Sequence, residues 1–477
     1  MCIFMSRNLC LSIRVFAFCL IFSQVSVAQS SISEREAVER ALRQHPALIA
    51  LRASVNASEA AVLQAGLRPN PELSFEMEEL RFSDGPDSDT VTTDGGGLVT
   101  GRSVSGVDND GFDGSEITVS VSQRFELGQK RSKRIALANQ ATRVALWDYE
   151  IARADIIADT RHAFIEVLAG QERMALQQEL IEMAGAASKT VHERIDSGKI
   201  SPLEGNRADI LLAQARISLA KAERELNAAR ATLAAQWGGA STDAGRAIGD
   251  LSKVVSLPDR SSLEKSLLET PELARWSAEV IRREEAVHLE RALGKPDVTV
   301  SAGWRSTGLA DSSSTSFDGN GILSGRDRSS FEDNRENSFV LGFSIPLQIF
   351  NRNQGSVREA EHRVSEASYR RRAKQANLLG RVTSQHEKMN GILSEVRTLE
   401  TDVVPIAFKA YEATKTGFEL GKFPYLSVLD AQRTLFIVRN QHMEAMAEYQ
   451  LGVVDLERLL GSHLDDFSAE DVTEAVE

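Results

Sequence analysis

The exported chain has no cysteine. Three occur in all, Cys2, Cys10 and Cys19, and every one falls within the first 28 residues. That stretch carries Arg7 and Arg14 as its only charges, then an apolar run from Val15 to Phe22, then small residues at Ser26 and Ala28. The pattern is that of a secretory signal cleaved after Ala28, with Met5 as an alternative start, and its apolar run is too short to span a membrane as a helix. Cys19, in "VFAFCLIF", lacks the small neighbours of a lipoprotein cysteine, which argues against a lipid anchor. Without thiols the mature chain has no disulfide, no thiolate nucleophile and no soft metal ligand, so packing and assembly must hold it together.

Other absences narrow the field further. No apolar run after the signal is long enough for a membrane helix. Histidine is scattered: His45, His162, His192, His288, His362, His386, His442 and His463 include no pair at ligand spacing with a third ligand nearby. A selective transition-metal site needs such a cluster, so no metal-binding residues are expected. No nucleophile elbow, phosphate loop or paired-carboxylate motif stands out, so neither an enzyme nor a cofactor is expected. Basic residues number 55 against 68 acidic ones, a net charge of −13 that becomes two units more negative without Arg7 and Arg14. That balance disfavours nucleic acid and fits a cation-handling surface or plain solubility.

Proline is missing between Pro86 and Pro202 and between Pro346 and Pro405. From Lys130 to about Arg194, Ala, Leu, Glu, Arg and Gln dominate, all good helix formers. Leu137, Val144, Ile151, Ala158 and Ile165 recur every seven residues as a coiled-coil seam. Such a helix would run roughly 95 Å, which suits a helical bundle or a filament-like rod better than a globular core.

The chain is duplicated. "GKISPLEGNRADILL" from Gly198 and "GKFPYLSVLDAQRTL" from Gly421 share a glycine-proline corner 223 residues apart, and each runs on to a glycine, Gly238 and Gly461. His45-Pro46 aligns with Thr270-Pro271, Pro71 with Pro296, and "FELGQKR" with "LQIFNRN", all at nearly that offset. Four segments alternate: Leu73, Phe75, Met77; Ile117, Val119, Val121; Val298, Val300, Ala302, Trp304; and Phe339, Leu341, Phe343, Ile345. Each is about ten residues long, enough for a tilted strand to cross an outer membrane, although a half-buried sheet alternates in the same way. The segments joining them are rich in Gly, Ser and Asp (Asp84, Asp87, Asp89, Asp108, Asp110 and Asp113 in the first) and are too polar to enter a core. Four strands cannot close a barrel alone, and open edges are not tolerated in lipid, so other copies must complete it.

"YEATKTGFELGKFPYLSVLDAQRTL", its partner "RIDSGKISPLEGNRADILLAQA" and the duplicated order resemble the TolC-like outer-membrane efflux family across essentially the whole mature sequence. "SQRFELGQKR" and "SIPLQIFNRNQG" are most similar to the channel component of heavy-metal resistance systems of the cobalt–zinc–cadmium type. The resemblance implies a mainly α protein with a β-barrel. Duplicated long helical hairpins and four transmembrane strands per protomer would form a homotrimer with a 12-stranded outer-membrane β-barrel and a periplasmic α-barrel. The expected divisions are a signal at 1–28, a first repeat at 29–256 and a second at 257–477 ending in a C-terminal tail. Strands are expected at about 72–82, 115–126, 297–305 and 337–347, and hairpin tips at about 195–203 and 418–426.

The implied function is the exit duct of a tripartite proton-driven system for divalent heavy-metal cations. Its implied partners are a periplasmic membrane-fusion adaptor, an inner-membrane resistance-nodulation-division pump and outer-membrane lipid. Multidrug efflux and type I protein secretion are the alternatives within the family, and an exported coiled-coil structural protein is the alternative outside it. By resemblance, Asp430 and Ser427 ring the periplasmic aperture, Glu204 matches a latch acid, and Arg207 or Lys422 stands in for its basic partner, Phe418 and Phe423 occupying the family's latch positions. Gly198, Lys199, Pro202, Leu203, Gly421, Lys422, Pro424 and Leu426 form the tips that would meet the adaptor.

Overall fold

Duplication at the level of sequence becomes duplication of turns and helix entries in the computed structural model, which describes residues 31–78, 88–94, 97–108, 115–240, 244–308, 311–318, 322–329 and 335–464. The expected signal with its three cysteines and the C-terminal tail lie outside the described residues, as do Asp84, Asp87, Asp110 and Asp113. The chain starts with β1 (Ser31–Ser33), α1 (Glu34–Gln44) and α2 (Pro46–Ala65), followed by β2 (Glu72–Glu78), β3 (Ser88–Thr93), β4 (Val99–Asp108) and β5 (Glu116–Phe125). Two long helices come next, α3 (Lys130–Asp196) and α4 (Pro202–Ala235). The second half repeats this order with β6 (Arg246–Ile248), α5 (Arg260–Ser266), α6 (Pro271–Leu293), β7 (Val298–Gly308), β8 (Asp311–Asp318), β9 (Leu323–Ser329) and β10 (Arg335–Ser344). It ends with α7 (Gln354–Thr398), α8 (Val404–Glu419) and α9 (Tyr425–Leu460).

The chain forms two compact units, and each draws on both halves of the sequence. Among the described residues the first unit (Met1–Ala57, Arg143–Ala278, Ser368–Glu477) is mainly helical, with β1 pairing in parallel with β6. Gln171 on α3 clamps that pair: its amide nitrogen donates to Ala247 O at 3.0 Å and its carbonyl accepts from Ala247 N at 3.0 Å. Ion pairs give the lateral order of the helices. Arg173 and Glu225 join α3 to α4, Arg439 and Glu179 join α9 to α3, and Lys388 and Glu448 join α7 to α9. The order is therefore α4-α3-α9-α7. Val144, Ala158 and Ile165 of the expected heptad seam are buried, as apolar knobs facing a neighbouring helix should be.

The second unit (Ser58–Thr142, Glu279–Ala367) holds two antiparallel four-stranded sheets, β10-β7-β5-β2 and β3-β4-β8-β9. The first consists of the four alternating segments. Its register lines up Phe339, Trp304, Val119 and Phe75 in one row across the sheet. One face stays open, with Leu73, Phe75, Phe339, Leu341 and Phe343 between 64% and 89% exposed. A soluble sheet would bury such a face, whereas a lipid-facing one has no reason to.

The second sheet is built from the polar segments, whose described residues form paired hairpins. Asp94 and Asp318 each accept a bond on the side chain at 2.8 Å, from Leu98 N and Ile322 N, and each donates its own N–H to the same residue's carbonyl. One turn is thus built twice, and Ser/Thr/Val strands pair away from it without needing a core. Asp89 and Asp108 lie in β3 and β4.

The descending helical arm of the second half does not run unbroken into its tip. Pro405 lacks an N–H and its ring crowds the carbonyl four residues back. The chain responds with a π-helical turn over Leu399–Val403, in which Val404 N–H reaches back to Leu399 O.

The two motifs that carry the subfamily resemblance are the entries to α3 and α7, and both pass through left-handed backbone at non-glycine residues, Gln129 (φ 62) and Asn353 (φ 62). Side chains hold these corners. Asp297 accepts from Lys130 Nζ at 2.5 Å and from Leu127 N at 3.1 Å, while the Asn353 amide donates to Glu290 O and Oε2 at 2.9 and 2.6 Å. The Lys130 side chain is only 6% exposed. Asp297→Asn retains an acceptor for Leu127 but leaves that ammonium buried and unpaired, so it should cost about 3 kcal/mol. Thermal denaturation in detergent, followed by circular dichroism, reads the loss, and Asp297→Leu with Lys130→Met should recover most of it.

Candidate functional site

Each hairpin tip closes through the same bonds. After α3, Gly198 N donates to Ile195 O at 2.8 Å and Lys199 N to Arg194 O at 2.9 Å. After α8, Gly421 N donates to Phe418 O at 2.9 Å and Lys422 N to Gly417 O at 2.8 Å. This is the Schellman closure of a helix, which requires a left-handed residue after the last turn. Gly198 (φ +71) and Gly421 (φ +72) supply it, and an added Cβ at either would meet nothing within 4 Å. Backbone conformation, rather than crowding, therefore demands glycine at both places. Pro202 then opens α4 behind an N-cap at Ser201, and Pro424 is the N-cap of α9. Lys199, Pro202, Leu203, Lys422, Pro424 and Leu426 are all exposed.

Side chains make the two tips unequal. Phe423 lays its ring where a Cβ on Gly417 would stand, 2.1 Å from it. The matching residue in the first half is Arg194, and it carries the contact between the hairpins. Its guanidinium lies 4.3 Å from the centre of the Phe418 ring and donates to Glu419 O at 2.6 Å. Sequence reading missed Arg194, although its alignment with a glycine inside a repeated corner was a visible signal. Beneath the tips, Val191, Ala208, Ala407, Tyr411, Phe418, Tyr425, Val428 and Leu435 form one buried cluster contributed by all four arms.

The expected aperture residues occupy different settings. Asp430 is exposed on α9, one turn beyond Ser427, and forms no ion pair among the described residues. Ser427 is half-buried. Glu204 and Arg207 bond each other along one face of α4 at 3.0 Å, so Arg207 spends its charge within its own helix. Glu204 Oε2 and the Tyr425 hydroxyl are both buried without a hydrogen-bond partner. Burial first and the Glu204 charge second push the Tyr425 phenol up to about 12.

Across the first hairpin, His192 Nε2 lies 3.1 Å from Asp209 Oδ1, and Ser188 Oγ donates to the same carboxylate at 2.9 Å. These bonds, His192 first, hold the Asp209 carboxyl below its usual range. Among the described residues no three His, Cys, Asp or Glu side chains come together as a metal site.

Comparison with known proteins places these tips in context. The sequence profile of the outer membrane efflux proteins matches the chain twice, over residues 37–239 and 262–462. The cobalt-zinc-cadmium resistance protein CzcC of Cupriavidus metallidurans is 32% identical over 414 residues, covering 87% of this chain and 86% of that protein. The nickel and cobalt resistance protein CnrC of the same organism is 25% identical over 333 residues, 70% of this chain and 68% of that one. The outer membrane protein TolC of Salmonella enteritidis is 23% identical over 372 residues, 74% and 71% of the two chains. The solved structure of CusC shares the fold, with a TM-score of 0.64, 16% identity and coverage of 90% and 92%.

Tyr425→Phe removes a buried hydroxyl that has no partner, so it should stabilise the tip by about 1 kcal/mol at neutral pH. The folded tip also keeps the Tyr425 proton up to about pH 12, whereas the unfolded chain releases it near pH 10. Wild-type stability should therefore decline between those values by an increment that Tyr425→Phe lacks. Paired denaturation curves at pH 9 and pH 11 measure the difference, and parallel curves would contradict it.

Proposed function

We propose, for a chain that belongs to the outer membrane efflux protein family, that it is the exit duct of a tripartite, proton-driven system exporting divalent heavy-metal cations. Proteins of this family are outer-membrane channels that reach into the periplasm, and they are not enzymes. The observation that carries the metal reading is the 32% identity to a cobalt-zinc-cadmium resistance protein over 87% of the chain, with nickel and cobalt resistance relatives behind it. Multidrug efflux and protein secretion rest on likeness of fold, which does not select a substrate.

In this reading the halves 29–256 and 257–477 are duplicates, and three copies close a twelve-stranded barrel and a ring of helical hairpins. Support comes from the four-stranded sheet, whose strands β10 and β2 each lack a partner on one side among the described residues. Lipid does not tolerate such edges. The tips at Gly198–Leu203 and Gly421–Leu426 face a periplasmic adaptor, which links the duct to an inner-membrane pump of the resistance-nodulation-division class. Asp430 lines the aperture together with Ser427, and the Glu204–Arg207 pair braces the first tip beside it. Three exposed carboxylates at a narrow pore attract cations and resist sharing the space.

Two experiments check this. Deleting the gene should sensitise cells to cobalt, zinc or cadmium at least several-fold while leaving drug tolerance unchanged, and the reverse pattern would favour multidrug efflux. In planar bilayers, Asp430→Ala should raise single-channel conductance and weaken block by divalent cations. Unchanged conductance and block would remove Asp430 from the aperture.

A further inference from the structure

Every layer of this chain ends in one element from each half. The sheet β10-β7-β5-β2 has β2 at one edge and β10 at the other, and the sheet β3-β4-β8-β9 ends in β3 and β9. The helical layer of the first unit ends in α4 on one side and in the α7–α8 arm on the other. An object with unlike edges joins copies of itself head to tail, and rotation closes such contacts into a ring.

The free faces of α4 and α8 match one another. The buried face of α4 (Gly205, Ala208, Ala215, Ala222, Leu226) belongs to contacts within the chain. On its opposite face Leu203, Ile210 and Ile217 are 55%, 58% and 69% exposed at intervals of seven, with exposed Ala213 between the last two and exposed Ala220 just beyond. On α8, Ile406 and the C-cap residue Leu420 are both 65% exposed, and Ala410 and Ala413 are exposed between them. Both are apolar seams that no other described residue of the single chain covers.

Their heights agree as well. Arg194, near the end of the first hairpin, touches Phe418 and Glu419, so the two tips lie level. Copies rotated about an axis along the hairpins keep that level, and α4 leaves its tip while α8 approaches one. Antiparallel pairing then sets Leu203 against Leu420, Ile210 against Ala413, Ala213 against Ala410 and Ile217 against Ile406. Every step up one helix meets an equal step down the other, and all four of these pairs are apolar.

We infer that α4 of one copy packs against α8 of the next in this register, with Leu203, Ile210, Ala213 and Ile217 meeting Leu420, Ala413, Ala410 and Ile406. The contact rests on the reading of the chain as one protomer of a ring, and it assigns the helical residues that close that ring.

Disulfide trapping tests it cleanly, because the sequence has no cysteine after residue 28. A chain carrying Ile217→Cys and Ile406→Cys, oxidised in outer membranes, should run mostly as covalent multimers on non-reducing gels. Each single variant should stay monomeric. So should Ile217→Cys with Leu420→Cys, which lies out of register by two heptads, about 21 Å. Co-expressed chains carrying one cysteine each should give a covalent dimer. If the isoleucine substitutions impair folding, Ala213→Cys with Ala410→Cys exchanges methyl for thiol in the same register.

A bridge formed only within one chain, or an adduct to a different periplasmic protein, would overturn the seam. So would no bridge at all in protein that still elutes as an oligomer in detergent, a result that leaves the ring reading intact. Elution as a monomer would remove the ring reading along with it.

Discussion

A strand in hydrocarbon can satisfy its backbone N–H and C=O groups only by pairing with another strand, and each group left over costs several kcal/mol. The sheet β10-β7-β5-β2 is built from segments with a strongly exposed apolar face, yet among the described residues it stops with β10 and β2 each paired on one side only. Most of what is unusual in the chain follows from that constraint. Its halves are near copies, its layers end in unlike elements, and it carries apolar residues on helix faces where a monomer would carry charge. Large exposed patches of this kind mark a surface made to be covered.

The backbone of the duplication is held more strictly than its side chains. Both tips use the same left-handed glycine and the same pair of closing bonds, and both outer hairpins use the same aspartate turn. The long helices α3 and α7 both start from a left-handed residue that is not glycine, held by neighbouring side chains. Side chains diverge where the halves meet. Arg194 stands where the second half needs Gly417, and Glu204 and Arg207 stand where it has Ser427 and Asp430. A repeated frame fixes the heights of the tips, and unlike side chains on that frame let one tip grip the other.

Much of this was legible in the sequence, for physical reasons that differ by element. The four strands announced themselves because lipid on one side and small or polar residues on the other enforce a period of two. The tips did so because only glycine takes that backbone shape cheaply. The outer hairpins were hidden because Ser- and Gly-rich segments read alike whether paired or not, and the deciding signal was one aspartate at each turn. Strands β1 and β6 are three residues each, too short for any period to show, and they depend on Gln171 from a helix far away in sequence. The π turn was hidden in a stretch of good helix formers, although Pro405 marked its place.

The heptad seams were the hardest to place, since sequence reports spacing and not occupancy. Leu137, Val144, Ile151, Ala158 and Ile165 recur at the same interval as Leu203, Ile210 and Ile217. Val144, Ala158 and Ile165 of the first series are buried, whereas the second series is left exposed by the other described residues. Only exposure separates them. Apolar residues at 55% to 69% exposure are a liability in a monomer, because burial is the reason to keep such residues at a fixed interval at all. The same numbers become economical once a second seam of matching height and opposite direction is found at the far edge of the same layer. That edge belongs to the other half of the duplication, so the offset that repeats the corner at Gly198 and Gly421 also sets the register in which one copy meets the next.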